Sequence, residues 1–130
     1  MSDPILKLES VFTDIARYHI LQGVDLEVPR GQVTMLLGRN GVGKTTTLRT
    51  IIGHWLAKSG AIRFDGQDIT GLPTPARARL GIGFVPEDMG IFTDLTVEEN
   101  MILAATSGPL DTTRLEWIFK AFPPLRTFWR

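Results

Sequence analysis

A glycine-rich segment that follows an apolar run constrains this sequence more than any other feature. Residues 38–45 read Gly-Arg-Asn-Gly-Val-Gly-Lys-Thr and match the pattern G-x-x-x-x-G-K-[ST]. Its three glycines let the main chain turn with its N–H groups facing inward, which makes an anion nest at the start of a helix. Lys44 adds a positive charge for the β- and γ-phosphates, and the Thr45 hydroxyl is a hard oxygen ligand for Mg²⁺. The pattern therefore predicts a site for nucleotide phosphates and Mg²⁺, with ATP as the expected nucleotide, and by itself leaves kinases, GTPases and transport ATPases open.

The residues on either side of this loop match the context that the motif requires. Residues 32–37 are nearly continuously apolar, which predicts a strand covered on both faces. Residues 45–52 predict a helix that ends at Gly53. The alternative is a glycine-rich turn between a strand and a helix, with an exposed lysine and no ligand. A buried strand before the loop and a helix after it favour the phosphate site.

The remaining N-terminal sequence is β in character. Apolar residues open a strand near residues 5–8 and alternate with acids over residues 24–28, as in a half-buried strand. Residues 61–64 predict another strand, with Asp65 and Gly66 as its turn. Residues 82–85 predict a short apolar strand that Pro86 ends.

The C-terminal sequence is helical in character. Residues 96–99, Thr-Val-Glu-Glu, form a capping-box sequence that predicts a helix running to about Thr106. Asp111 is expected to cap a second helix over residues 112–121, which must end before Pro123. The order of mixed β, strand–loop–helix and then helices predicts the α/β class.

Composition narrows the kinds of protein that this chain can be. Its 130 residues allow one domain, and the formal net charge of zero gives no overall field that would attract nucleic acid or an anionic membrane. The sequence has no cysteine, which excludes disulfides and thiol catalysis. The apolar runs are too short to span a bilayer, so a connection to a membrane is expected to go through a partner.

Several segments together resemble one family. The P-loop over residues 38–48 is similar to the form found in ABC transporters, and so are Gly53 and four later segments: residues 59–62, residues 64–69, residues 81–87, and residues 91–92 with 95–100. The third and fourth of these are similar to the Q-loop region of that family. Glu87 and residues 114–119 are most similar to ATP-binding subunits of branched-chain amino acid transporters. The resemblance covers nearly the whole chain.

The resemblance implies a fold and a place in the cell. The fold is that of a P-loop NTPase, an ABC-type nucleotide-binding domain with an antiparallel β part and the start of a helical subdomain. Residues 1–86 are expected to form the β and P-loop core, and residues 87–130 the Q-loop and the start of the helical subdomain. The family implies a cytoplasmic ATPase at the inner face of the cell membrane. It pairs with a second nucleotide-binding subunit and drives membrane-spanning subunits, here for import of branched-chain amino acids.

The resemblance also implies roles for individual positions. Glu87 stands where the family usually has a glutamine near the metal, so Thr45 and Glu87 are the expected Mg²⁺ ligands; the alternative for Glu87 is a solvated acid at a strand end. Ile15 stands where the family usually places an aromatic residue against the adenine, and Tyr18, three residues later, is expected to begin a strand as a core residue. The expected phosphate-binding residues are Gly38, Arg39, Asn40, Gly41, Val42, Gly43, Lys44, Thr45 and Thr46.

The sequence departs from the family's pattern after the helical segment. Residues 1–130 contain no LSGGQ signature, no Walker B strand with its acidic residues and no switch histidine. We therefore expect roughly the first half of a nucleotide-binding domain, with no catalytic residue in the chain and no ATP hydrolysis by the chain alone. The alternative function is a non-catalytic remnant, or an interaction module with residual nucleotide binding. A small kinase is disfavoured because no arginine-rich lid is visible.

Overall fold

A computed structural model describes residues 3–39, 43–88, 90–105 and 108–130. Contacts divide the chain into two compact units, Met1–Gly83 and Phe84–Arg130, whereas the boundary expected from the sequence lies after residue 86. In chain order the described elements are β1 (Leu6–Ile15), β2 (Tyr18–Val28), α1 (Lys44–Ile51), β3 (Ser59–Phe64), β4 (Gln67–Asp68), α2 (Thr74–Arg79), α3 (Val97–Ala104), α4 (Thr112–Ala121) and α5 (Pro123–Thr127).

The first unit is built on an antiparallel sheet in the order β2-β1-β3-β4. β1 is central, and Leu8 on it lies opposite Leu26 of β2 and Ile62 of β3. The side chains that meet beneath the sheet are apolar and fully buried or nearly so, which makes this the core of the unit: Leu8, Val11, Leu21, Ile51, Ile62 and Ile69. The expected antiparallel β part of the fold is therefore confirmed.

β1 contains a bulge at Ser10, and this bulge restricts which residue can occupy position 60 of the neighbouring strand β3. Ser10 has a φ of 47° and its N–H donates to the Asp25 carboxylate at 2.8 Å, while the register with β3 shifts between Glu9 and Phe12. Gly60 faces this bulge with a φ of +88°, and a Cβ built on it would lie 2.3 Å from the Ser10 carbonyl oxygen. Only glycine fits there without moving the main chain.

The turns and helix ends of the first unit follow from local chemistry. β3 and β4 are joined by Asp65 and Gly66, both with positive φ, as the sequence predicts for a two-residue hairpin turn. α1 is followed by Gly53 with a φ of 86°, the left-handed residue that commonly ends a helix. No helix was predicted at residues 74–79, where α2 forms with a proline in its first turn.

Two predicted strands are wrong. Residues 32–37 and 82–85 have no strand pairing among the described residues, and the side chains of Val33 and Met35 are 93% and 74% exposed. A strand requires a hydrogen-bonded neighbour, and the described sheet contains only β1–β4. The apolar side chains of residues 32–37 therefore favour burial, but the described residues leave them exposed to solvent.

The second unit contains α3, α4 and α5, and its helix starts confirm the predicted caps. The Thr96 hydroxyl accepts a hydrogen bond from the Glu99 N–H at 3.1 Å, and the Glu99 carboxylate accepts one from the Thr96 N–H at 2.8 Å. The Asp111 carboxylate accepts from the N–H groups of Thr113 and Arg114 at the start of α4. α3 ends at Ala104, short of the predicted end at about residue 106, which lies outside the described residues.

The C-terminal residues fold back on the helices of this unit. Phe119 of α4 meets the Trp129 ring edge to face, with 5.0 Å between ring centroids, and the Arg126 guanidinium lies 4.6 Å from the centroid of the Phe119 ring. The Glu98 N–H donates to the Trp129 carbonyl at 3.0 Å, which ties the start of α3 to the chain end. No helix among the described residues combines the length and apolar content needed to cross a bilayer.

Candidate nucleotide-phosphate site

The site is built around the first turn of α1. Gly43 precedes the helix in the left-handed conformation, with a φ of 96°, and its carbonyl accepts from the Thr47 N–H at 2.8 Å and the Thr47 hydroxyl at 2.7 Å. Among the described residues, no side chain caps this end of the helix. The N–H groups of Lys44, Thr45 and Thr46 have no acceptor within the helix and form its positive end. This arrangement suits an anion.

β2 supports the start of the helix from behind. A Cβ built on Gly43 would lie 3.0 Å from the Leu21 side chain and 3.6 Å from the Ile20 carbonyl oxygen. The residue at position 43 must therefore be small as well as left-handed, which explains the third glycine of the motif in physical terms. The first turn of α1 is held against the sheet by this close approach.

Lys44 connects the two ends of the loop. Its side chain is half-buried, and its ammonium group donates a hydrogen bond to the Gly38 carbonyl. Gly38 and Arg39 are exposed, Thr45 is exposed and Thr46 is half-buried. Of the predicted phosphate-binding residues, Asn40, Gly41 and Val42 lie outside the described residues. The structure thus brings Gly38, Lys44 and the first turn of α1 together, with the Thr45 side chain accessible.

A threonine pair that sequence reasoning missed fixes the inner face of α1. Thr50 is fully buried, and its hydroxyl donates to the Thr46 carbonyl at 2.7 Å. The Thr13 hydroxyl of β1, also buried, lies 3.2 Å from the Thr50 hydroxyl. Because the Thr50 proton is directed to Thr46, Thr13 is the donor in this pair. The helix is thereby fixed to the central strand by a polar contact within the core.

A buried arginine lies at the opposite end of α1. Arg77 of α2 donates to the carbonyls of Thr50 and Ile51, at 2.8 and 2.9 Å, and burial lowers the pKa of its guanidinium from the usual value. No sequence feature distinguishes Arg77 from Arg79, since each follows an alanine in the same short segment.

The β1–β2 hairpin carries the residue expected near the adenine. Ile15 is half-buried at the end of β1 and pairs directly with Tyr18, which begins β2 as predicted. Tyr18 is 72% exposed, so the prediction that it is a core residue is wrong. The reason is its place at the tip of a hairpin, where no layer covers it. The position of Ile15 against a base stays a prediction.

A charged cluster borders this hairpin tip. The Asp14 carboxylate accepts from the Lys58 ammonium at 2.8 Å and from Nδ1 of His19 at 2.6 Å. These hydrogen bonds, that from Lys58 first, hold the pKa of Asp14 below its ordinary value. The cluster ties the hairpin to the residue before β3 and so fixes the end of β1 where Ile15 lies.

Glu87, the second expected metal ligand, lies in the second unit. It is exposed and follows the segment 82–85 that forms no strand. Thr45, the first expected ligand, belongs to the first unit. A role for Glu87 at the metal stays a prediction.

Comparisons with known proteins agree on one family. The family described as ABC transporter matches residues 21–126. A probable branched-chain amino acid transport ATP-binding protein of Archaeoglobus fulgidus is 38% identical over 112 residues, which cover 85% of this chain and 48% of that protein. A high-affinity branched-chain amino acid transport ATP-binding protein of Pseudomonas aeruginosa is 35% identical over 124 residues, covering 94% and 53%. Other matching relatives are named for ribose import and lipopolysaccharide export.

Solved structures give the same answer for the fold. The structure of an ATP binding subunit of an ABC transporter superposes with a TM-score of 0.74 at 30% identity, covering 94% of this chain and 49% of that one. The chain therefore spans about half the length of the relatives that it matches. Its antiparallel sheet and its P-loop helix are parts of an ABC-type P-loop NTPase fold. By the match of residues 21–126, this chain belongs to the ABC transporter family.

Proposed function

We propose that this chain is the ATP-binding part of an ABC transport ATPase that couples ATP binding and hydrolysis to import of branched-chain amino acids. The observation that carries the proposal is the start of α1, where uncapped N–H groups and the Lys44 ammonium converge at one end of a P-loop. The names of the two relatives described above support the cargo. The family by itself supports only transport, since its members carry different cargoes.

Each described residue of the site has a role in holding Mg-ATP. The N–H groups of Lys44, Thr45 and Thr46 donate to phosphate oxygens at the positive end of α1. The Lys44 ammonium exchanges the Gly38 carbonyl for the oxygens of the β- and γ-phosphates. The exposed Thr45 hydroxyl would be a ligand of Mg²⁺, and Glu87 is proposed as a further ligand. When bound, Mg²⁺ would neutralise charge on the phosphates.

Replacing Lys44 by alanine tests the phosphate site. We expect Lys44→Ala to weaken Mg-ATP binding by about 1.5–3 kcal/mol, the range for a hydrogen bond to a charged group. A fluorescent ATP analogue is titrated against the wild type and the variant. Lys7→Ala is the matched control, because it removes the same charge from a lysine that pairs with Glu9 and Glu27 on the sheet. Equal affinities of the wild type and Lys44→Ala would show that Lys44 does not bind phosphate.

An apolar groove in the second unit is the proposed contact with a membrane-spanning subunit. The groove encloses about 650 Å³ and is lined by the 90–95 segment, by α3 and by Leu125. Phe92 is 60% exposed, while its main-chain N–H and carbonyl are both bonded to the Asn100 side chain, at 2.9 and 3.0 Å. The main chain is thus fixed while the ring stays accessible, as expected of a docking residue and not of a core anchor. Residue 89 lies outside the described residues.

Phe92→Asp tests this contact. In a full-length relative with phenylalanine at the matching position, we expect the aspartate to weaken assembly with the membrane subunit by about 2 kcal/mol or more, the loss typical of a central interface residue. Co-purification and transport are measured together. Phe92→Leu is the control because it keeps an apolar side chain. Unchanged assembly and transport in the aspartate variant would remove the groove as the contact.

In this proposal the protein acts at the inner face of the cell membrane, in the cytoplasm, through its partner subunits. A second nucleotide-binding subunit is part of the same assembly. No contact with nucleic acid is proposed.

A further inference from the structure

Arg77 is the most deeply buried charged side chain among the described residues, with 1% of its surface exposed. All four of its described hydrogen bonds go to main-chain carbonyl oxygens. Nη1 donates to Thr50 and Ile51 at 2.8 and 2.9 Å, Nε to Leu72 at 2.8 Å, and Nη2 to Thr70 at 2.9 Å. One guanidinium therefore joins the end of α1 to the segment that follows β4.

Arg77 contacts α1 at the C-terminal end of the helix. The carbonyls of Thr50 and Ile51 belong to the last turn of α1, and the carbonyl groups at the end of a helix carry partial negative charge. Gly53 makes room for the guanidinium, because a Cβ built on it would lie 3.0 Å from Nε of Arg77. The helix end and the arginine are thus shaped for each other, and the positive charge lies at the favourable end of the dipole.

On its other side Arg77 is held by the sheet. The Thr70 carbonyl accepts from Nη2 of Arg77, and the Thr70 hydroxyl accepts from the Ile62 N–H of β3 at 2.9 Å. Ile62 is fully buried in the core. The position of Arg77 is therefore fixed by hydrogen bonds that lead to β3 in the core. Arg77 in turn holds the last turn of α1 through the carbonyls of Thr50 and Ile51.

The opposite end of α1 is the phosphate end. An eight-residue helix is about 12 Å long, so a tilt at its last turn displaces the N–H groups of its first turn. We propose that Arg77 is a positioning residue for nucleotide binding, which fixes the axis of α1 so that Lys44 and Thr45 meet the phosphates. This inference rests on the proposed function and deepens it. Arg77 itself does not touch the phosphates in this proposal.

Two substitutions of Arg77 test the proposal by nucleotide affinity. We expect Arg77→Met to weaken binding of a fluorescent ATP analogue by about tenfold, within the range for coupling between two sites. Arg77→Lys keeps the charge but not the planar fork of donors, so it should recover part of the affinity. Affinity and unfolding by urea are measured on the same dilute preparations of the full chain, at a temperature where each variant is folded.

Two controls separate positioning from general stability. Leu8→Val shortens a buried side chain of the core and is expected to destabilise the fold while leaving affinity unchanged. Arg79→Met removes an exposed arginine from the same helix and is expected to change neither quantity. If Arg77→Met does not fold, Arg77→Lys decides the question. Wild-type affinity in the folded Arg77 variants, or an equal loss in Leu8→Val, would overturn the proposal.

Amide hydrogen exchange gives a readout that needs no nucleotide. The Thr47 N–H, bonded to the Gly43 carbonyl, reports on the phosphate end of α1, and the Ile52 N–H, bonded to the Leu48 carbonyl, reports on the end at Arg77. We expect both amides to exchange faster in Arg77→Lys than in the wild type. Faster exchange at Ile52 alone would overturn the positioning role, because the effect would be local. Failure of the wild type to bind the analogue would contradict the proposed function and leave this readout intact.

Discussion

A concentrated solution of the 130-residue chain is expected to sediment as large assemblies, and substituting both Val33 and Met35 by lysine is expected to return it to a monomer. Val33, Met35 and Leu37 are 93%, 74% and 78% exposed within one short segment. No described residue pairs with its main chain as a strand. Exposed apolar side chains beside unpaired N–H and C=O groups form a template for pairing between molecules, and lysine at such a position opposes it. Sedimentation velocity at several concentrations measures the effect.

The control for this prediction keeps the added charge and changes its place. Tyr18→Lys with Leu56→Lys introduces the same two charges at exposed apolar residues outside the segment. We expect this variant to assemble as the wild type does. A wild-type chain that stays monomeric at high concentration would contradict the prediction. Equal rescue by the control pair would show that net charge, and not the 33–37 segment, governs assembly.

Replacing Gly60 by alanine is expected to lower the free energy of unfolding by about 3 kcal/mol or more. Two costs combine. The left-handed conformation of residue 60 costs a side-chain-bearing residue about 1–2 kcal/mol, and a Cβ 2.3 Å from the Ser10 carbonyl oxygen forces the main chain of two strands apart, an overpacking cost of about 1–3 kcal/mol. Urea unfolding in the Val33→Lys, Met35→Lys background measures the change without interference from assembly.

Gly66→Ala separates the two costs. Gly66 also has a positive φ, of +78°, but nothing lies within 4 Å of a Cβ built on it. We therefore expect Gly66→Ala to show only the conformational cost, about 1–2 kcal/mol. The difference between the variants reports the clash at the bulge. Equal losses at the two positions would mean that the strands relax freely around residue 60.

The features that were predicted from the sequence depend on chemistry within a few residues. The capping box at Thr96 and Glu99, the Asp111 cap and the Asp65–Gly66 turn each involve neighbours no more than three positions apart. Alternation along β2 was also readable, because one face of that strand is buried. Predictions failed where burial depends on distant segments. Residues 32–37 have the apolar composition of a strand that is buried on both faces. Whether they are buried depends on which other segments pack against them, and residues 32–37 do not determine that.

The candidate site also has features that the sequence predicted and features that it did not. The motif and its context were sufficient to predict that a helix begins directly after the glycine-rich loop. They could not predict what holds that helix, because Thr13 and Arg77 lie 37 and 27 residues from Thr50. Tyr18 was misassigned for a related reason: its place at a hairpin tip depends on how β1 and β2 pair. A role for Glu87 at a metal stays a prediction, since Glu87 and Thr45 belong to different units.

The central place of β1 has a consequence for the order in which the chain folds. β1 and β2 are neighbours in sequence and pair through a short turn, whereas β3 reaches β1 only after the intervening chain has closed into a loop. Closing a longer loop costs more chain entropy, so we expect the hairpin to form first and the β1–β3 pairing later. The P-loop and α1 lie inside that later loop. α1 is therefore expected to reach its final place in the slow step of folding, and a local opening of the β1–β3 pairing is expected to release it first.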